Sequence, residues 1–308
     1  MTAPPPVVVP RRRAAGLVAI VLALAPFFIA ADAFLVRALL TGFAISIAMK
    51  TRLLWVGRDA DPGMLAAWPR FLVWLLIPPA TTWPRTPDEA RTNRRHVGTL
   101  FLRAAAAFVL MLVLVGAKHW LDTRAMGWWT LPVRAVVEML QFYVLLVAMT
   151  DTLTALVKLA GVQVEPVFVH PARARGPGEF WSLRWNRVVH RFARHEVFGP
   201  VARRGGRLLA VLVTFAASGL MHEYLVVACV GWDAYRPGLM SAFFLLQALA
   251  VLFERGSGGG RQGRWPPIVN FTWMALTTPL FFRPLDPQIA AFDRACLGIA
   301  RALLAPVL

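Results

Sequence analysis

The chain has 308 residues, 58% of them hydrophobic and only 16% charged, with a mean hydropathy of +0.58, which excludes an ordinary soluble domain and marks an integral membrane protein. Its formal net charge of +17 lies in clusters between hydrophobic runs, the positive-inside pattern, and points away from nucleic acid toward anionic headgroups and an anionic small molecule. Cys229 and Cys296, both in apolar surroundings, support neither a disulfide framework nor a four-ligand metal site.

The predicted elements begin after a proline-rich amino terminus, with residues 1–13 expected to be disordered and cytoplasmic and residues 14–308 to form one membrane-embedded domain. Arg11-Arg12-Arg13 precedes an apolar run from Ala14 to Ala31, read as an uncleaved first membrane helix. A second span from Phe34 to Met49 ends at Lys50, Arg52 and Arg58. Asp32 marks the external turn between the two, and Arg37 is expected to snorkel to that surface. Trp68 to Ala80 is interrupted by Pro69, Arg70, Pro78 and Pro79 and is too short to cross a core that needs about 20 residues, so it is read as re-entrant or interfacial, the alternative being a tilted, proline-kinked span that inverts everything downstream. Leu100 to Ala117 is a plain membrane helix ending at Lys118, and Trp128-Trp129 reads as an interfacial belt. Leu131 to Ala160 follows with Glu138, Gln141 and Asp151 inside it; those groups face the protein interior, or in the case of Glu138 reach the headgroups.

Residues 161–207 form the longest polar interval, cytoplasmic by charge. Pro166, Pro171 and Pro177 make its first half extended or turning. In the second half Trp181, Trp185, Val188, Val189 and Phe192 recur at three- and four-residue spacing, and Arg184, Arg187, Arg191 and Arg194 follow the same period on another stripe. The pattern predicts an amphipathic interfacial helix with Trp181 and Trp185 as interfacial anchors and with Asn186 and His190 sharing a strip. Leu208 to Val230 is the next crossing, and fourteen residues of helical rise place His222 roughly 21 Å along it. Spans from Gly238 to Phe253 and Pro266 to Phe282 flank a basic glycine-rich loop, Arg255 to Arg264, and Ile289 to Leu308 closes the chain. The predicted fold is therefore all-α, a polytopic membrane helix bundle of about eight segments with an interfacial amphipathic helix.

His222 and Glu223 stand among Phe215, Leu220, Met221, Leu225 and Val226, where hydrocarbon solvates ionisable groups poorly, so a functional reason is expected for them. Several chemistries fail on the residues present. Val226 stands where a zincin motif needs its second histidine, His190 and His195 share no helical face, no P-loop or Gly-x-Ser-x-Gly elbow occurs, and the glycine run from Gly256 to Gly260 reads as linker. A histidine within a membrane helix otherwise bridges helices or serves a proton relay.

Two motifs decide between these readings. Phe180, Trp181, Arg184, Trp185 and Asn186, followed by Ser218, Gly219, His222 and Glu223, resemble the wax synthase-like branch of the membrane-bound O-acyltransferase (MBOAT) superfamily. The likeness extends upstream to Glu165-Pro166-Val167-Phe168 and downstream from Leu276 to Leu285, roughly the second half of the chain. It implies transfer of a fatty acyl group from acyl-CoA, a cosubstrate with no further cofactor or metal, to a lipid-soluble alcohol. Sterol, glycerolipid and secondary-metabolite hydroxyls are the alternative acceptors. Histidine suits the general base, and an asparagine amide can support the oxyanion without carrying charge, so His222 and Asn186 are the expected catalytic pair. Glu223, Ser218 and Trp185 are expected to support them, and Arg184, Arg187 and Trp181 to bind acyl-CoA, arginine being suited to phosphate. Ser218 and Gly219 are read most simply as permitting close helix packing. The expected location is a bacterial cell membrane with the amino terminus cytoplasmic. The rival from another class is a proton-coupled transporter relaying through His222, Glu223 and Asp151.

Overall fold

The computed structural model describes residues 8–30, 32–56, 67–76, 81–124, 127, 130–256 and 265–304. Of residues 1–13, expected to be disordered, 8–13 already belong to a helix, while 1–7, Arg58, the Pro78-Pro79 pair, the Trp128-Trp129 belt and the loop from Ser257 to Arg264 lie outside the described residues. The chain is helical, as its composition predicts. In order the helices are α1 (Val8–Leu24), α2 (Phe34–Val56), α3 (Trp68–Leu76), α4 (Pro87–Asn93), α5 (Val97–Thr123), α6 (Thr130–Leu159), α7 (Arg187–Ala193), α8 (Gly199–Val230), α9 (Leu239–Gly256), α10 (Pro267–Phe282) and α11 (Asp286–Leu304). Extended structure among the described residues is confined to a two-residue antiparallel pairing of Thr81–Thr82 with Gln163–Val164.

Among the described residues, five helical runs are long and apolar enough to cross a membrane: Phe34–Val56, Pro87–Thr123, Thr130–Leu159, Arg187–Val230 and Leu239–Gly256. The other expected segments are shorter or more polar. Helix α3 has nine residues and rises roughly 14 Å, less than half of a hydrocarbon core. Helix α11 has 19 residues but carries Asp286, Asp293, Arg294 and Arg301.

By its contacts the chain divides into two compact units. The first comprises Met1–Val97, Leu153–Pro166 and Tyr224–Tyr235. Its core joins Ala15 and Ala19 of α1, Ile47 and Leu54 of α2, and Phe71 and Trp74 of α3. Two cations inside it act as caps. Lys50, fully buried, donates to the carbonyls of Trp74 and, at 3.1 Å, Leu75 at the carboxyl end of α3, where a helix dipole favours positive charge. Arg37 does not snorkel outward as expected: it is buried, and its Nε donates to the Ala228 carbonyl at 2.7 Å near the end of α8. The carbonyls of a helix's last turn need donors, and here that need outweighs the pull of the surface.

The second unit comprises Gly98–Thr152, Val167–Glu223 and Arg236–Leu308. Met111 and Val115 of α5, Val144 of α6 and Cys296 of α11 pack as one apolar cluster. At its edge lies an ion network. Lys118 Nζ sits 2.8 Å from Asp293 and 3.3 Å from Glu138, Arg134 also holds Glu138 at 3.0 Å, and Gln141 donates to Asp293 at 2.6 Å. Glu138 therefore does not reach for headgroups; it is paired inside the unit. Asp151 is likewise paired, with Arg103 at 3.2 Å.

Candidate active site

The first motif is not a continuous amphipathic helix. Pro177–Glu179 form a single helical turn, Phe180–Arg184 a π-helical turn, and Trp185 is extended at φ −101° and ψ 128°. Asn186 then takes a left-handed conformation at φ 40°, one that asparagine tolerates better than most residues. Its Oδ1 accepts the Val189 N–H at 3.3 Å and so caps α7. The predicted interfacial helix starting at Trp181 is thus replaced by two short helical pieces broken at Trp185-Asn186, and Asn186 and His190 stand in a capping relation, not on one strip. The wide π turn swings the tryptophans inward. Trp185 stacks on Phe180 at 5.2 Å and meets Phe168 at 4.9 Å, while Trp181 meets Phe215 and Phe244, each at 5.8 Å. Trp181 and Trp185 are therefore members of an aromatic cluster.

Polar contacts hold this fold of the loop. Arg184 grips Glu179 at 2.6 Å through Nε and Nη2, and its Nη1 reaches the carbonyls of Val169 at 3.2 Å and His170 at 3.3 Å. The Arg187 backbone N–H donates to the Val167 carbonyl at 3.0 Å, and its half-buried side chain makes no hydrogen bond or ion pair among the described residues. Buried Glu254, at the end of α9, accepts the Gly178 N–H at 2.7 Å. Its carboxylate fills the space that a Cβ on Gly176 would take, and Gly176 has φ +141°, so both sterics and backbone demand glycine there.

The second motif lies on α8. A non-helical residue, Gly206 at φ 80° and ψ 172°, separates the start of α8 from the run that carries His222, close to where the crossing was predicted to begin. Beyond the break, side chains bond to carbonyls one turn back along one stripe. Thr214 Oγ1 donates to Ala210 at 2.6 Å, Ser218 Oγ to Thr214 at 3.1 Å, and His222 Nδ1 lies 2.8 Å from the Ser218 carbonyl. A carbonyl oxygen can only accept, so Nδ1 carries the hydrogen and the neutral ring presents its lone pair at Nε2. Among the described residues Nε2 has no hydrogen-bond partner. The imidazole lies against Phe244 of α9 at 4.4 Å and Phe281 of α10 at 5.7 Å.

Glu223 points elsewhere. It is buried, and its Oε1 accepts the Ser241 N–H at 2.9 Å, capping the first turn of α9. Ser218 acts on His222 through its backbone carbonyl, while its hydroxyl is turned back along α8. Gly219 is a point of close approach of α8 to α9: a Cβ there would stand 2.9 Å from the Ser241 Cα. Gly219→Val is expected to force α8 and α9 apart, remove the Glu223 cap and destabilise the protein by about 1–3 kcal/mol. A thermal midpoint in detergent equal to that of the unaltered chain would contradict this role.

The two motifs meet at Phe244, whose ring touches both Trp181 and His222. Sequence reading did not single out Phe244, Phe281 or Gln247. Gln247 is fully buried beside them, donating to Thr277 at 2.9 Å and accepting the Trp273 indole N–H at 3.0 Å. A glutamine within an apolar run was the one signal available. Among the groups nominated for the transporter rival, Glu223 caps a helix and Asp151 is ion-paired to Arg103.

Comparison with known proteins converges on the same region. Residues 164–246, which contain both motifs, match the model of the Membrane bound O-acyl transferase family. The chain is 35% identical over 121 residues to the probable long-chain-alcohol O-fatty-acyltransferase 2 of Arabidopsis thaliana, covering 35% of this chain and 33% of that protein. It is 34% identical over 176 residues to the probable long-chain-alcohol O-fatty-acyltransferase 9 of the same plant, covering 50% of each. Similarity to the plant's acyl-CoA–sterol O-acyltransferase 1 is 27% over 157 residues, covering 46% of this chain and 45% of that protein. The matches thus span a third to half of the relatives' own lengths. No solved structure matches the chain. Both comparisons bear out the resemblance to the wax synthase-like membrane-bound O-acyltransferases.

Proposed function

We propose that the chain is an O-acyltransferase that moves a fatty acyl group from acyl-CoA to the hydroxyl of a lipid-soluble alcohol, with His222 as general base and Asn186 in support. The observation that carries this reading is the 2.8 Å contact of His222 Nδ1 with the Ser218 carbonyl. The Nδ1 hydrogen is committed to that carbonyl, and Nε2 is left as an unoccupied base among aromatic rings.

In the proposed reaction Nε2 takes the hydroxyl proton as the alcohol oxygen attacks the thioester carbonyl carbon. The carbon–sulfur bond then breaks, and the imidazolium returns that proton to the departing thiolate, so ester and thiol form with no net proton or electron. Because Asn186 Oδ1 is taken up by the helix cap, its amide hydrogens are left to donate, the group an oxyanion requires. A long-chain alcohol is the acceptor we favour, since two of the similar plant proteins carry that activity in their names and a third names a sterol. In this reading residues 14–308 act as one membrane-embedded domain of a bacterial cell membrane with the amino terminus cytoplasmic. Arg187, with no partner of its own among the described residues, is the better placed of the two nominated arginines to meet a phosphate.

The test is a vesicle assay with labelled acyl-CoA and a panel of alcohols, sterols and diacylglycerol. Ester formed from at least one acceptor class is the expected result. Proton-driven solute uptake with no ester product would overturn the reading.

A further inference from the structure

Trp181 carries a buried indole N–H that makes no hydrogen bond among the described residues. Its surroundings explain why: the ring lies between Phe180 at 5.0 Å, Phe215 and Phe244 at 5.8 Å, and Phe243 at 6.4 Å, and none of these offers a conventional acceptor. The nearby indole of Trp273 is treated differently, since its N–H is met by Gln247 at 3.0 Å. A buried donor left unmet is costly and calls for a reason. Its position suggests one, because Trp181 and His222 rest on the same Phe244 ring.

We propose that Trp181 Nε1–H is a catalytic donor, binding the carbonyl oxygen of the acyl thioester and the oxyanion that this oxygen becomes. The assignment rests on the acyl-transfer reading and adds a donor beside Asn186. An indole N–H is neutral and donor-only, so it favours a developing negative oxygen without a permanent charge to desolvate. In the free chain the rings close over the N–H and keep out water that would satisfy it. The entering acyl chain parts that cover, turning Phe215 or Phe244 aside, and brings its carbonyl oxygen as the missing acceptor. As His222 Nε2 removes the hydroxyl proton and the oxygen–carbon bond forms, the carbonyl electron pair moves onto the oxygen held by Trp181. It returns when the carbon–sulfur bond breaks, and the proton passes from His222 to the thiolate.

Trp181→Phe in the full chain, reconstituted in vesicles, keeps an aromatic side chain and removes the N–H together with the pyrrole part of the indole, so a preference between substrate analogues, and not stability, is the deciding readout. We expect kcat to fall roughly 10²- to 10³-fold with KM for the alcohol little changed, the size of loss seen on removing one oxyanion donor. A second readout uses two unreactive coenzyme A analogues, a ketone with CH2 in place of the thioester sulfur and a thioether without the carbonyl. The unaltered chain should bind the ketone about fivefold more tightly than the thioether, the order of one hydrogen bond, and Trp181→Phe should erase that preference. The rival explanation is a structural N–H contact with the face of Phe215, which stands at 90° to the indole. In that case the thermal midpoint falls while kcat and the analogue preference stay, and the proposal is overturned. Ester formation with an unaltered preference sinks the donor assignment alone. A preference lost in Trp181→Phe without ester formation sinks the acyl-transfer reading and leaves the carbonyl-binding donor standing.

Discussion

His222→Ala is expected to abolish ester formation, with a loss of at least 10²- to 10⁴-fold, the usual contribution of a positioned general base. The sharper variant is His222→Asn. An asparagine amide nitrogen occupies nearly the place of Nδ1 and can still donate to the Ser218 carbonyl, but nothing stands where Nε2 was. The helix contact is kept and the base is lost, so both variants should be inactive while His222→Asn melts at close to the normal temperature. An asparagine variant with more than a tenth of the normal rate would show that proton abstraction is done elsewhere.

Lys118→Met is expected to be the most destabilising of the single substitutions considered, by roughly 3–5 kcal/mol, because it removes the cation between two buried carboxylates. Its side chain is only 5% exposed, so water cannot replace what is lost. Arg134 would still hold Glu138, and Gln141 would still hold Asp293, which keeps the expected loss toward the lower end. Adding Asp293→Asn should recover part of the stability by removing the charge left most exposed to the deficit. The comparison is made on thermal midpoints in one detergent. A double variant no more stable than Lys118→Met would mean that the network is not coupled as its distances imply.

What the sequence revealed follows from the range over which its signals act. Hydropathy is local and additive, so the helical membrane character was legible, and the two motifs are what nominate His222 and Asn186. The start of the His222 helix was legible because arginines and paired glycines end abruptly at Leu208. The π turn over Phe180–Arg184 was not, because its tryptophans happen to repeat at the spacing of an ordinary amphipathic helix. Arg37 was misjudged for a different reason. A charged side chain near the end of an apolar run looks bound for the interface until its partner is known, and that partner, the Ala228 carbonyl, lies far off in sequence. Phe244 and Phe281 could not be singled out at all: among 20 phenylalanines, only packing distinguishes the two that touch the imidazole.

The partner of His222 Nδ1 is main chain, and that has a practical result. No exchange of a neighbouring side chain, Ser218 included, deletes a peptide oxygen, so the choice of working nitrogen is insulated from changes in the pocket lining. Under the proposed reaction, replacing Phe244 or Phe281 to admit another alcohol leaves that hydrogen bond in place, provided that the helix itself stays wound between Ser218 and His222.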